Sequence, residues 1–226
     1  MKDLDWGSLT FGYVPTNYNV RCYYHNGKWG EIEVSSDEYV HIHMASTCLH
    51  YGQEAFEGLK AYRCPDGKVR VFRPEENAAR LQSTCRVLTC SERCCAVKCF
   101  QTLLYLRPLL VGTSAQVGVH EGQDYLFLIF ATPVGPYFKG GFSTNAYAIT
   151  REFDRAAPFG TGKYKVGGNY AASLRAHKIA KEKGYASEFY LDAKEKKYVD
   201  ECGAANFFGI KENTYITPKS SSILPS

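Results

Sequence analysis

The segment KYKVGGNYAASLRAHKIAKEKG, residues 163–184, sets Lys165 two residues ahead of a Gly-Gly pair, at the mouth of an amphipathic stretch. A lysine amine becomes a nucleophile when desolvation or neighbouring positive charge populates its neutral form near pH 7. Its common product is then a Schiff base with a carbonyl. Gly167 and Gly168 have no Cβ, so the backbone there can approach a bulky cofactor closely. Taken alone, Lys165 reads as an ordinary solvated charge; its company has to decide.

Cys90, Cys94, Cys95 and Cys99 form the other cluster with possible chemistry, because pairs four apart share a helix face. Their spacing is not the Cys-x-x-Cys of a zinc ribbon and no histidine lies nearby, so they read as buried or half-buried thiols and no metal site is expected. Nine cysteines is an odd number at irregular spacing in a chain large enough to need no staples. Free thiols in a reducing compartment, with no disulfides, are therefore expected.

At 226 residues, and with roughly 100–200 residues per domain as the usual range, one large or two modest domains would fit. Apolar residues at 45% and charged residues at 22% are the composition of a folded chain and exclude a disordered tail. The net charge of +4 comes from 27 basic and 23 acidic residues scattered along the length, with no basic run to track a phosphate backbone, so nucleic acid is not an expected partner. The longest apolar runs, 103–112 and 125–133, fall well short of the roughly 20 residues of a membrane span and suit buried strands. No membrane partner is expected. The first twenty residues lack a secretory pattern and are too acidic and arginine-poor for a transit peptide, which points to the cytoplasm.

The elements that must position Lys165 follow from turn chemistry and periodicity. RCYYHNGKWGEIEV carries Asn26-Gly27 between aromatic and β-branched runs, and LKAYRCPDGKVRVF repeats the pattern around Pro65-Asp66-Gly67, so both predict antiparallel hairpins. Pro74-Glu75-Glu76 then opens a helix that carries Arg80 about two turns in. Strands return over 103–111 and 124–132, and the loop VGPYFKGGF divides the chain into two halves. The second half begins with an extended segment, NAYAITREF. A helix is expected from about Tyr170 to Lys183 with Gly184 as its stop, followed by the strand pairs SEFYLDA/KYVDE and NFFGI/TYIT. The sum is a mixed α+β chain rich in hairpins.

KVGGNYAASLRA, EFYLD and VDECGAANFFGI together closely resemble the branched-chain amino acid aminotransferases of the fold-type IV pyridoxal phosphate family. The likeness continues through CLHYGQEAFEGLKAYR, VFRPEENAARLQSTCR, LYLRPLLVGTSAQVGV and TPVGPYFKGGF, in the family's order and over nearly the whole chain. It implies a two-domain α+β fold. A small N-terminal α/β domain would span 1–133, an interdomain loop 134–142, and a larger β-rich cofactor-binding domain, incomplete here, 143–226.

By the resemblance, Lys165 holds pyridoxal 5′-phosphate and later moves the proton at the substrate Cα. Glu201 matches the carboxylate that pairs with the pyridine nitrogen, where an anion keeps that nitrogen protonated. Arg80 matches the arginine on the cofactor phosphate, a task that suits a guanidinium fork, and Tyr170 matches the tyrosine on the cofactor's phenolic oxygen. Tyr51, Phe56, Tyr105 and Arg107 match pocket positions, the aromatics enclosing an aliphatic side chain and the Tyr-x-Arg strand assisting carboxylate recognition.

The implied reaction moves the amino group of Leu, Ile or Val to 2-oxoglutarate in two stages, in a homodimer acting on small molecules. The chain departs from the family pattern in two places. CRVLTCSERCCAVKCFQTL is a short cysteine-rich bridge where the family carries a longer helical segment, and TPKSSSILPS ends where the family continues into a further phosphate-binding helix. These departures keep open a catalytically silent truncated fragment acting as a binding or interaction module. Within the enzyme class the rival is a different fold-type IV activity, D-amino acid aminotransferase or aminodeoxychorismate lyase, against which FEGLKAYR and the VGPYF loop argue.

Overall fold

The computed structural model describes residues 4–90, 104–137 and 143–225. The loop expected over 134–142 is therefore described only as far as Tyr137, and of the cysteine cluster only Cys90 lies within the described residues, where it is buried. The chain divides into two compact units, Met1–Gly141 and Phe142–Ser226.

The first unit is built from β1 (Asn19–His25), β2 (Lys28–Trp29), β3 (Glu33–Ser35), the short helix α1 (Thr47–Tyr51), β4 (Glu54–Phe56), β5 (Leu59–Arg63), β6 (Val69–Val71), α2 (Pro74–Val87), β7 (Leu104–Gly112) and β8 (Tyr125–Pro133). Its antiparallel sheet runs β2-β1-β8-β7-β5-β6, with β3 also on β1 and β4 also on β7. The first hairpin forms as the sequence dictates: Asn26 and Gly27 both take positive φ, at 51° and 79°, so the turn's twist matches that of its strands. The second forms across Arg63 and Val69, with Gly67 at a φ of 75°.

Pro108 stands in the middle of β7, where a missing N–H would normally break a ladder. Its carbonyl faces the gap between β4 and β5, accepting from the Glu57 N–H at 2.9 Å, so the absent donor falls where the neighbouring strand is interrupted. Alternation along β7 sends Leu106 and Leu110 to one face and Tyr105 and Arg107 to the other. On the first face, Ala55, Leu110, Tyr125 and Phe127 pack with Leu81 and Cys85 of α2 into the main core. On the other, Val111, Leu126 and Leu128 form a smaller one.

The second unit holds β9 (Tyr147–Thr150), α3 (Gly167–Glu182), β10 (Ser187–Leu191), β11 (Val199–Cys202), β12 (Gly209–Lys211) and β13 (Thr214–Ile216). β10 pairs with β11 antiparallel and with β9 parallel, α3 making the long connection a parallel pair requires. α3 begins at Gly167, three residues ahead of the expected Tyr170. Val166 stays extended (φ −113°, ψ 146°) and the two glycines fill the first helical turn, where N–H groups need no intrahelical partner and poor helix propensity matters least. Gly184, at a φ of 83°, follows the helix end.

Candidate functional site

In the second unit, three hydrogen bonds from one side chain set the loop that delivers Lys165. Asn169, buried on the first turn of α3, receives the Thr161 hydroxyl at 2.9 Å and donates to the carbonyls of Thr161 and Tyr164 at 2.8 and 2.9 Å. The chain before the helix is thereby clamped to it. Lys165 is half-buried and its Nζ donates to the Tyr170 hydroxyl at 2.9 Å. A Cβ added at Gly168 would meet no atom within 4 Å, so open space lies beside the same turn.

Glu201 sits on β11 at 2% exposure. Its carboxylate faces the guanidinium Nε of Arg155, itself buried, and Asn206 donates to its other oxygen at 3.4 Å. Burial pushes the Glu201 carboxyl up to about 7, against the opposing pull of Arg155, the Leu224 backbone N–H and Lys165; Asp200 pushes it further up. Lys165, Tyr170 and Glu201 thus belong to one unit, and the charge of Lys165 reaches Glu201. Arg155 does more than balance charge, because its Nη1 donates to the carbonyls of Gly162 and Ser222 at 2.8 and 2.5 Å. That ties the loop before Lys165 to the segment after β13.

The first unit carries the other expected residues. Arg80, on α2, makes a two-pronged pair with Glu57, Nε to Oε1 at 2.6 Å and Nη2 to Oε2 at 2.8 Å. On the opposite face of the sheet Arg107 lies over the Phe56 ring, 4.7 Å from its centroid, and donates to the Tyr105 hydroxyl at 3.1 Å. Its Nε is buried and makes no hydrogen bond. Glu54, on the same strand as Phe56, has its carboxyl raised by burial and pulled back down by Arg107.

Gly58 explains the glycine in the FEG string. A Cβ there would lie 1.9 Å from the Tyr105 hydroxyl oxygen, so only glycine leaves room for that ring. Tyr51 stands apart from this group: its hydroxyl donates to the Val117 carbonyl and its ring is 38% exposed, with His50 as its ring neighbour.

Sequence reasoning missed four residues. Glu57 and Arg155 are the ionic partners of Arg80 and Glu201, and a partner distant in sequence leaves no spacing signal. Phe11 and Tyr137 complete an aromatic group with Tyr105, the Phe11 ring lying 5.1 Å from Tyr105 and 5.4 Å from Tyr137. Tyr137 lay in a string that read only as a loop. Among the described residues, no group of three or more His, Cys, Asp or Glu could hold a metal ion, and the six described cysteines carry free thiols. No helix there is long and apolar enough to cross a membrane.

The second unit thus carries a lysine held by a tyrosine at a glycine-rich helix start together with a buried carboxylate, and the first unit carries a guanidinium paired with a buried acid at a helix. Residues 54–226 match the family model described as amino-transferase class IV. The branched-chain-amino-acid aminotransferase of Haemophilus influenzae is 48% identical over 253 residues, an alignment covering 100% of this chain and 73% of that longer protein. The crystal structure of the Escherichia coli branched-chain amino acid aminotransferase superposes with a TM-score of 0.70 at 28% identity, covering 90% of this chain and 70% of that one. A third protein, the branched-chain amino acid aminotransferase of Thermobaculum terrenum in its PLP-form, shares the fold at a TM-score of 0.71 and 19% identity, covering 93% of this chain and 70% of that one. The chain belongs to the class IV aminotransferases and, within them, to the branched-chain amino acid aminotransferases.

Proposed function

We propose that this chain binds pyridoxal 5′-phosphate through Lys165 and exchanges amino groups between Leu, Ile or Val and 2-oxoglutarate in two half-reactions, as a homodimer in the cytoplasm. The observation that carries the reading is the 2.9 Å contact from Lys165 Nζ to the Tyr170 hydroxyl, in the unit that also buries Glu201. The residues fit the cofactor. The amine, phenol and carboxylate are the groups its aldehyde, phenolic oxygen and ring nitrogen would require, and one unit carries all three. The Thermobaculum terrenum protein, of the same fold, holds this cofactor in its crystal structure.

When bound, the cofactor supplies an electron sink for the charge that develops at the substrate Cα. The chain's own residues do the rest. Lys165 would take and deliver the Cα proton through its amine, with Tyr170 orienting it. Glu201, buried and held in place by Arg155, would be the acid that pairs with the ring nitrogen. Arg80, paired with Glu57, would bind the phosphate through its guanidinium charge. The buried Arg107 Nε, lacking a hydrogen bond, suits a substrate carboxylate, while Phe56 and Tyr105 enclose the aliphatic side chain. Tyr51, which stands apart from that group, keeps a pocket role on the resemblance alone.

The test is the absorption spectrum of the purified chain mixed with pyridoxal 5′-phosphate, before and after borohydride, beside Lys165→Ala. A visible band that borohydride fixes onto Lys165 and the variant lacks supports the reading, and turnover of L-Leu but not D-Ala with 2-oxoglutarate then fixes the substrate class. A wild-type spectrum without the band marks a catalytically silent chain.

A further inference from the structure

Neighbouring residues of one strand end point to opposite faces, and here both have consequences. Phe56 lies under Arg107, whereas Glu57 turns to α2 and is 1% exposed. Its carboxylate is fully engaged: Arg80 Nε donates to Oε1 at 2.6 Å, Arg80 Nη2 to Oε2 at 2.8 Å, and Asn77 Nδ2 to Oε2 at 2.8 Å. Asn77 and Arg80 stand one turn apart on α2, so both reach down to the same acid.

A buried ion pair is a poor way to fasten a helix to a sheet, because desolvation offsets its attraction and apolar side chains of similar volume would serve as well. What it does achieve is orientation. The Nε–Nη2 edge is gripped at both ends, which fixes the guanidinium plane, and the arginine, at 20% side-chain exposure, lies on the solvent side of an acid at 1%.

We infer that Glu57, held in turn by Asn77, is a positioning residue that fixes the plane of Arg80 for the phosphate of a pyridoxal-class cofactor. The inference rests on the reading of Arg80 as the phosphate ligand. Glu57 does not touch the cofactor; its effect passes through one guanidinium, so it should act on the phosphate and on nothing else the ligand offers.

That selectivity gives the test. The full chain is titrated with pyridoxal 5′-phosphate and with pyridoxal, which lacks the phosphate, and the ratio of the two affinities is compared in wild type, Glu57→Gln, Asn77→Ala and Arg80→Gln. Glu57→Gln keeps the volume but loses the charge-assisted fork, and should weaken the phosphate ligand about tenfold with pyridoxal unchanged. Asn77→Ala should move the ratio the same way by about threefold. It decides alone if Glu57→Gln does not fold. If Arg80→Gln lowers the ratio while the other two leave it at the wild-type value, the positioning role is overturned and the reading of Arg80 stands. An equal loss for both ligands in Glu57→Gln also overturns it, since the acid would then only hold the fold. If Arg80→Gln itself leaves the ratio unchanged, the phosphate reading falls and takes this inference with it.

Discussion

Arg155 sets its guanidinium Nε against the carboxylate of Glu201, and the two side chains are buried to 7% and 2% exposure. Neither could be stably buried alone, because a lone charge inside a protein loses its hydration with nothing in return. Arg155→Met should therefore destabilise the chain by about 3–5 kcal/mol, measured by urea unfolding. Adding Glu201→Gln to it should recover part of that loss, since the double variant leaves no bare carboxylate. A single-variant cost below about 1 kcal/mol would show that the pair contributes little to holding this unit.

Glu201 also gives the fold a dependence on pH with a definite sign. Its carboxyl is raised from an ordinary 4.5 to about 7, first by burial. Between those values the folded chain holds a proton that the unfolded chain has released. Stability is then fully present below pH 4.5 and is lost as pH rises through about 7. The loss is at most roughly 3 kcal/mol, and Arg155, Lys165 and Asp200 are the charges that tune it. Unfolding free energies at pH 5 and pH 8, wild type against Glu201→Gln, isolate this group, because glutamine cannot titrate. Parallel pH slopes in the two proteins would mean that Arg155 keeps Glu201 ionised throughout.

What the sequence makes legible is what depends on near neighbours. Asn26-Gly27 states its own turn and Pro74 its own helix start, whereas the grouping of Lys165 with Tyr170 comes from the family resemblance and not from spacing. The parallel pairing of β9 with β10 was not legible, because no short pattern distinguishes a parallel partner from an antiparallel one. The sequence pattern places the start of α3 three residues late because glycine counts against a helix everywhere except the first turn, which is where Gly167 and Gly168 lie. The partners of Arg80 and Glu201 were hidden for another reason. Glu57 and Arg155 are chosen by three-dimensional proximity, and nothing in their local sequence gives a hint of either.

Gly58 and Tyr105 form a fitted pair that a single methyl group should break. The Cβ of Gly58→Ala would stand 1.9 Å from the Tyr105 hydroxyl oxygen, and that ring is held by Arg107 at 3.1 Å and by Phe11 at 5.1 Å. Overpacking of this kind costs about 1–3 kcal/mol, which thermal unfolding would read. In a Tyr105→Ala background the same alanine should cost almost nothing, because its obstacle is gone. An equal cost in both backgrounds would place the strain in the backbone instead.

The segment after β13 is held against the loop before Lys165 by a contact that tolerates no side chain. A Cβ on Gly162 would lie 2.5 Å from the Ser222 carbonyl oxygen and 2.7 Å from its Cα, both backbone atoms that cannot swing aside. Around that point Ser222 donates to Asp200, Asn206 donates to the Leu224 carbonyl at 2.9 Å, and the Leu224 side chain is buried. Gly162→Ala should therefore lift residues 220–225, exposing Leu224 and removing its N–H from Glu201. The expected cost is about 2–3 kcal/mol, the burial of one leucine with its hydrogen bonds. Hydrogen exchange of the amides in 220–225 should quicken while α3 stays protected. Unchanged exchange in that segment would show that the backbone yields without detaching.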